Sequence, residues 1–385
     1  MSNTAMVPLA VPAIGPREIE LVTEAVTSGY VSSVGPFVTE FENKFAQTVG
    51  SQYAVACATG TAALHVALRV LGVGAGDEVA VSDFTFVGSV NPIAYQGASP
   101  LFVDSEPATW NMDSSLLIEH LTDRLSRGKT LPKAVEVVHV LGQPAQMDDL
   151  LPFCQEHGIA VLEDAAESLG ARWSQGALAG THTGTAGAIG AFSFNGNKIV
   201  TTGGGGMIVT DDAALAAHAR HLTTQAKVPA VGYLHDEVGY NYRLTNVSAA
   251  LGVAQLERLG EFVDRKRAIA ARYDAALSAV GITTPPRVPG LDATYWLYSA
   301  LVPVSMGADG RDLLLKHLQS HNIGARALWR PLHQQPPFQG AQRLGGSVAI
   351  DLFERGISLP CSFELTDEQQ DRAIDAVKSF FGPQS

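Results

Sequence analysis

Tyr53–Leu71 reads YAVACATGTAALHVALRVL: a short apolar run, a turn carrying Gly60, then a stretch dominated by Ala, Leu and Val. YAVAC (Tyr53–Cys57) has the length and composition of a buried strand, and TAALHVALRVL (Thr61–Leu71) has the length and propensity of a helix. A strand that turns straight into a helix returning over it is the building unit of an α/β sheet. The unit recurs downstream. EVAVS (Glu78–Ser82) predicts a strand and VGSVNPIAYQG (Val87–Gly97) a helix. PLFVD (Pro100–Asp104), AVEVVHVL (Ala134–Leu141), IAVLEDA (Ile159–Ala165), GAFSF (Gly190–Phe194) and GGMIVT (Gly205–Thr210) predict further strands. These runs are continuously apolar rather than alternating, so the strands should be buried on both sides. That implies an α/β fold with a mostly parallel central sheet and helices on both faces.

Outside this block the texture differs. The first residues carry Pro8, Pro12 and Pro16 without a helical period, which predicts an extended arm over residues 1–16. Helical patterning starts at Arg17, and Phe41, Phe45 and Val49 fall on one face of an amphipathic segment. Beyond about residue 260 a long charged helix (Leu256–Val280) leads into Pro285, Pro286 and Pro289. A strand in YWLYSALVPV (Tyr295–Val304) and helices at Arg311–Asn322 and Asp367–Phe381 follow. The expected division is an arm (1–16), a large domain (17–260) and a smaller C-terminal α+β domain (261–385).

With 385 residues, 46% hydrophobic content and 17% charged residues, the chain is long and apolar enough for a globular enzyme of that size. A formal net charge of -12 argues against a nucleic-acid binder, which needs clustered Lys and Arg to neutralise phosphates. Cys57, Cys154 and Cys361 are few, odd in number and far apart, as expected of reduced cytoplasmic thiols. The first residues lack a signal peptide's basic start and apolar run, and no segment has the roughly 20 apolar residues of a membrane span. A soluble cytoplasmic protein is expected. No metal site is expected either, since His182 has no spaced partner that completes a ligand set.

Four segments at expected strand ends carry chemistry, because ligands of open α/β sheets bind there. In ATGTAAL (Ala58–Leu64), Gly60 permits a tight turn that leaves the amides of Thr61 and Ala62 and the Thr61 hydroxyl facing an anion; a plain helix cap is the simpler alternative. In VLEDAAESLG (Val161–Gly170), Asp164 can pair with a protonated ring nitrogen, with Glu167 one turn on; an N-cap and a solvated face are their simpler fates. In DFTFVGS (Asp83–Ser89), Phe86 can stack on a flat ring or pack in the core. SFNGNKIVTTGGGGM (Ser193–Met207) places Lys198 before Gly203–Gly206 with no carboxylate close in sequence. Desolvation there favours the free amine that a Schiff-base nucleophile needs, and Ser193 can donate to the same anion as Thr61; a surface lysine beside a turn is the plain alternative. An anion cradle, a ring-nitrogen carboxylate, an aromatic lid and an amine nucleophile together are what pyridoxal phosphate requires.

With GTAAL, EDAAES, SFNGNK, TTGGGGM, GYNYRLTN and RPLH in this order, the chain resembles the fold-type I, pyridoxal-phosphate-dependent sugar aminotransferases of the DegT/DnrJ/EryC1/StrS family from about Val7 to its last helix. The resemblance implies that Lys198 binds the cofactor and moves the proton, and that Asp164 pairs with the pyridine nitrogen. Phe86 would stack on the ring, Gly60, Thr61, Ala62 and Ser193 would hold the phosphate, and Glu167 would lie beside the cofactor. It also implies a homodimer in which Asn241 and Arg243, from Gly239–Thr245, complete the partner's site. Arg326, Trp329 and His333 would line the nucleotide-sugar site. His139 and Gln143, at another strand end, either face that pocket or serve the structure. One departure stands out: Gly204 occupies the place of a glutamate in the family's usual glycine run. With HLTTQAK (His221–Lys227), this resembles the subgroup that makes 4-amino sugars of the bacillosamine and legionaminate type. The expected reaction moves the amino group of L-glutamate to a UDP-linked 2-acetamido-2,6-dideoxy-4-keto-hexose for bacterial surface glycans. The alternatives are a GDP-perosamine-type or 3-keto sugar aminotransferase and a dehydratase on the same cofactor. The family's dehydrating member replaces the lysine with histidine, so Lys198 favours aminotransfer. An oxidoreductase would need a glycine fingerprint after the first strand, which is absent.

Overall fold

The computed structural model describes residues 5–229 and 232–382; residues 1–4 of the expected arm and 383–385 of the expected C-terminal domain lie outside the described residues. The chain opens with α1 (Pro16–Thr27) and α2 (Pro36–Val49), followed by β1 (Tyr53–Cys57), α3 (Gly60–Val70), β2 (Glu78–Ser82), α4 (Val87–Tyr95) and β3 (Ser99–Val103). Then come α5 (Ser114–Ser126), β4 (Ala134–Val138), α6 (Leu150–Glu156), β5 (Ala160–Asp164), β6 (Arg172–Trp173), β7 (Ile189–Ser193), β8 (Gly206–Thr210) and α7 (Ala213–Thr223). The last part runs through α8 (Asn246–Glu257), α9 (Leu259–Leu277), β9 (Leu291–Asp292), β10 (Tyr298–Leu301), α10 (Gly310–Ser320), β11 (Arg326–Ala327), β12 (Gln342–Leu344), α11 (Ser347–Arg355), β13 (Gly356–Leu359) and α12 (Asp367–Phe381).

The large sheet has the order β1-β8-β7-β5-β4-β2-β3-β12. It is mostly parallel: β8 alone runs against the rest, antiparallel to both β1 and β7. The continuous apolar runs have a simple cause. Within one strand, Val55 joins the cluster under α3 while Ala54 and Ala56 join the cluster under α2 and α8. Likewise Val135 and Val137 pack with α5 and α6, and Ala134 packs on the α3 side. Every second residue faces a different helical layer, so every position must be apolar.

The smaller sheet, β10-β13-β11, is antiparallel and packs against α9, α10 and α12. Val7 of the N-terminal arm docks in the same cluster, bonded to Asn322 O (2.9 Å) and to the Gly324 amide (2.7 Å). The C-terminal third is not confined to that sheet, since β12 pairs in parallel with β3 and extends the large one. Among the described residues no helix is long and apolar enough to cross a membrane.

Three expected elements depart from the sequence reading for a visible backbone reason. β4 stops at Val138 instead of Leu141, because Leu141 (φ 57°) and Gly142 (φ 86°) are left-handed and turn the chain off the sheet. The strand expected from Tyr295 begins only at Tyr298, after a left-handed Tyr295 (φ 51°). The long helix Leu256–Val280 is broken at Arg258 (φ -109°, ψ 8°), whose guanidinium lies over the rings of Phe262 and Phe363.

Candidate active site

β4, β5 and β7 end at Val138, Asp164 and Ser193, and these residues floor a cavity of about 410 Å³. The first turns of α3 and α4 and the loop between β7 and β8 wall it, and Trp296, Arg326 and Trp329 close it from the C-terminal third. This is the carboxyl edge of the parallel strands, where the fold leaves helix N-termini facing outward.

Lys198 sits on the excursion between the antiparallel strands β7 and β8. Phe194 and Gly205 bond across its base (2.8 Å), and the Lys198 amide bonds to Asn195 O (2.9 Å). The four glycines that follow do different things. Gly203 is left-handed (φ 80°). A Cβ on Gly205 would fall 2.2 Å from Thr202 Oγ1, and one on Gly206 would fall 2.4 Å from Thr59 O. Gly203 and Gly204 both have open space where a Cβ would go, but of the two only Gly204 lacks a left-handed backbone and lines the cavity.

The lysine that lacks an acidic neighbour in sequence gains one in space: Glu167 Oε1 lies 3.6 Å from Nζ. The Trp296 ring centroid lies 3.9 Å from the same nitrogen, and the indole N–H donates to Asn197 O (2.7 Å). Burial lowers the Lys198 pKa, opposed by the charges of Glu167 and Asp164. Burial also pushes Glu167 up to about 7, opposed by Lys198 and by the Leu141 amide on Oε2 (2.7 Å). Asp164 accepts from the Ser89 hydroxyl (2.8 Å) and the Ala166 amide (3.0 Å); burial raises its pKa and those two bonds pull against it.

Gly60 explains how the cradle closes. A Cβ there would lie 2.7 Å from Ser193 Cβ, so glycine lets α3 approach the end of β7 and brings Thr61 and Ser193 to one wall. The cradle differs from expectation at Ala62, whose amide is taken by the N-cap Thr59 Oγ1 (3.0 Å). Thr59, not Ala62, lines the cavity. Phe86 stands on the wall 55% exposed, not in the core.

Gly60, Thr61, Phe86, Asp164, Glu167, Ser193, Lys198, Arg326 and Trp329 therefore converge. Besides Ala62, five expected residues do not line this cavity, two of them, Arg243 and Asn241, being expected at a partner's site instead. His139 is fully buried, with Nε2 on Glu163 Oε2 (2.8 Å) and Nδ1 accepting from the Ala145 amide (3.1 Å), so it braces β4 against β5 and faces no pocket. Gln143 is buried too and lies away from the cavity lining. His333 is tied to buried Asp83 through its ring and its amide (2.9 Å). Arg243 is committed within its own chain to buried Glu42 (2.5 Å), which also holds Arg220 (2.8 Å) and the Ala56 amide (2.7 Å). Asn241 is exposed, away from this cavity, and bridges Thr224 through its backbone.

Sequence reading missed Ser89, Asn197 and Trp296. Ser89 lay inside a segment already singled out, whereas Trp296 comes from a distant turn with no local signal. Among the described residues one cluster of potential metal ligands, His221, Asp236 and Glu237, has donor atoms within 4.8 Å of one another, but none of the three lines the cavity.

The donor set can be matched to pyridoxal phosphate directly. It has an amine with a lowered pKa, a carboxylate held by two donors for a ring nitrogen, and Thr61 and Ser193 hydroxyls at a helix N-terminus for a phosphate. Residues 12–378 match the profile of the DegT/DnrJ/EryC1/StrS aminotransferase family. EpsN of Bacillus subtilis (strain 168), which bears the name of a pyridoxal phosphate-dependent aminotransferase, is 44% identical over 97% of this chain and 95% of its own. GDP-perosamine synthase of Escherichia coli O157:H7 is 37% identical over 97% of this chain and 98% of its own. A crystal structure of a DegT DnrJ EryC1 StrS aminotransferase from Brucella abortus superposes with a TM-score of 0.88 at 30% identity, covering 95% and 96% of the two chains.

Proposed function

The chain belongs to the DegT/DnrJ/EryC1/StrS aminotransferase family, as a pyridoxal-phosphate-dependent sugar aminotransferase, and we propose that it converts a UDP-linked 2-acetamido-2,6-dideoxy-4-keto-hexose to the 4-amino sugar with L-glutamate as donor. The observation that carries this substrate is Gly204. It is a cavity-lining position without a side chain, and nothing lies within 4 Å of a Cβ placed there. Room at that wall suits a sugar carrying an acetamido group, which is bulkier than a hydroxyl. The product would enter a surface glycan or sialic-acid-like sugar.

When bound, pyridoxal phosphate supplies the electron sink and carries the amino group between the two substrates. Lys198, whose pKa burial lowers toward the free amine, would bind the cofactor's aldehyde and take and return the proton at the reacting carbon. Asp164, fixed by Ser89 and Ala166, keeps the ring nitrogen protonated. Thr61 and Ser193 hold the phosphate, while Phe86 and Trp296 exclude water from the reacting centre. Arg326 offers an exposed guanidinium at the mouth for the anionic nucleotide. One cavity serving both substrates predicts ping-pong kinetics. A homodimer is part of the proposal, with exposed Asn241 and the apolar Tyr233, Leu234 and Val238 as the surface that meets the partner.

A second reading, a GDP-linked 4-keto-6-deoxy sugar without the acetamido group, is favoured by the 37% identity to GDP-perosamine synthase. Steady-state assays with UDP-, GDP- and TDP-linked 4-keto-6-deoxy sugars and L-glutamate separate the two. Highest kcat/KM on the UDP-linked acetamido sugar supports the first reading. Preference for the GDP-linked hydroxyl sugar replaces it with the second, and turnover of 3-keto sugars alone sinks both.

A further inference from the structure

Two turns that are far apart in sequence converge on the Lys198 amine. In the first, Leu141 is left-handed (φ 57°) and its amide donates to Glu167 Oε2 (2.7 Å). In the second, Tyr295 is left-handed (φ 51°) and precedes Trp296, whose ring covers Nζ at 3.9 Å. The turns are bonded to each other, Thr294 amide to Gly142 O (3.0 Å). Non-glycine residues adopt this backbone at a cost, and such strain is retained where surrounding structure over-determines a functional geometry. The result is that one carboxylate oxygen of Glu167 is pinned by an amide while the other faces the amine at 3.6 Å.

We propose that Glu167 is the proton partner of Lys198: pinned through Oε2 by the Leu141 amide, it accepts on Oε1 the proton that the lysine amine gives up, and keeps that proton inside the site. The N–H bond of the ammonium breaks, the electron pair stays on Nζ, and an O–H bond forms on Glu167; no other reactant is needed. Burial disfavours an ion pair relative to a neutral amine and a neutral acid, which agrees with a carboxyl pushed up and an amine pushed down at this contact. Asp164 is the one other charged group acting on Glu167, from the end of β5; the turns at Leu141–Gly142 and Thr294–Trp296 that pack on it are uncharged. A proton that passes within the pair leaves the fraction of free amine independent of bulk pH between the pair's two titrations.

The inference rests on the reading of Lys198 as the cofactor-binding residue, and capture of pyridoxal phosphate by the apoprotein, followed by absorbance, tests the two separately. The natural protein should capture cofactor at a nearly constant rate over the interval above the lower of the pair's two titrations, at about 7, and below the upper one. Glu167→Gln should lose that window and show a single displaced inflection, below which the rate falls about ten-fold per pH unit. A merely structural glutamate would scale the plateau and leave the profile's shape in place; superimposable profiles overturn the proposal. If Glu167→Gln does not fold, infrared difference spectra of the natural apoprotein over the same range replace it. A carboxylic-acid band that titrates with the lysine supports the pair, and no titrating band overturns it. Lys198→Ala acts as the control on the underlying reading. Colour retained by Lys198→Ala defeats that reading, whereas colour lost there with superimposable Glu167 profiles defeats only the proton partnership.

Discussion

Lys266 on α9 and Lys198 on the β7–β8 excursion are both withdrawn from water, and burial lowers the pKa of each. Lys266 donates to Trp296 O (2.9 Å) and Cys361 O (2.7 Å), tying α9 to two loops of the C-terminal third. Lys198 has no backbone carbonyl partner for its amine among the described residues; it faces a carboxylate and the ring of that same Trp296. One lysine is a strut that satisfies carbonyls, and the other is held with its donors uncommitted beside a cavity. The difference shows that burial alone does not mark a reactive lysine. What marks it is burial without hydrogen-bond acceptors that consume the amine.

Exchanging the two lysines' fates should expose this difference most strongly. Lys198→Ala should lower aminotransfer by roughly four orders of magnitude or more and abolish the yellow absorbance of the holoenzyme, with an apoprotein thermal midpoint no lower than the natural one. Lys266→Met should do the reverse, leaving kcat of the folded protein intact while chemical denaturation shows a loss of about 2–4 kcal/mol from two unpaired carbonyls. Loss of activity in well-folded Lys266→Met would erase the distinction.

A pH series sharpens it further. The folded-state pKa of Glu167 lies above its ordinary value of 4.5, at about 7. Its contribution to apoprotein stability is therefore fully present below about 4.5 and lost as pH rises through 7, on the order of 2–3 kcal/mol. Glu167→Gln should flatten that part of the stability curve, measured by denaturant melts at pH 4.5, 6 and 8. An unchanged slope would show that the carboxyl titrates normally.

The glycines after Lys198 supply the smallest effects. Gly206→Ala must push against Thr59 O and should cost about 1–3 kcal/mol with weaker cofactor retention. Gly204→Ala meets no atom and should change stability by less than about 0.5 kcal/mol while lowering kcat/KM on the acetamido sugar. Equal stability losses at the two positions would mean that Gly204 serves the fold and not the substrate.

Much of this was legible before any coordinates. β1 and β2 fall on the residues where the apolar runs lie, and α12 matches its predicted span, because their periodicity and flanking turns agree. The convergence of Lys198, Asp164, Thr61 and Ser193 follows from strand ends that share one edge of a parallel sheet. Reading failed where a side chain's fate depends on a distant partner. His139 could face the pocket or serve the structure, and only its bond to Glu163 decides for the structure; that Glu42 holds Arg243 within its own chain is likewise invisible in the sequence. Leu141 and Tyr295 carry no local sign of a left-handed backbone, since nothing in either side chain favours it.

By itself, then, the order of apolar runs, glycine turns and one isolated lysine determined an α/β sheet with a cofactor-binding edge, because hydrophobic period and turn chemistry act over a few residues. Tertiary structure alone decided that Lys198 has an acid beside it and an indole over it, that Ala62 lends no free amide, and that Gly204 is the one glycine of its run that both lines the cavity and has room for a side chain. Those outcomes depend on which surfaces meet when the sheet and its helices pack, and contact between segments so far apart leaves no periodic trace in either of them.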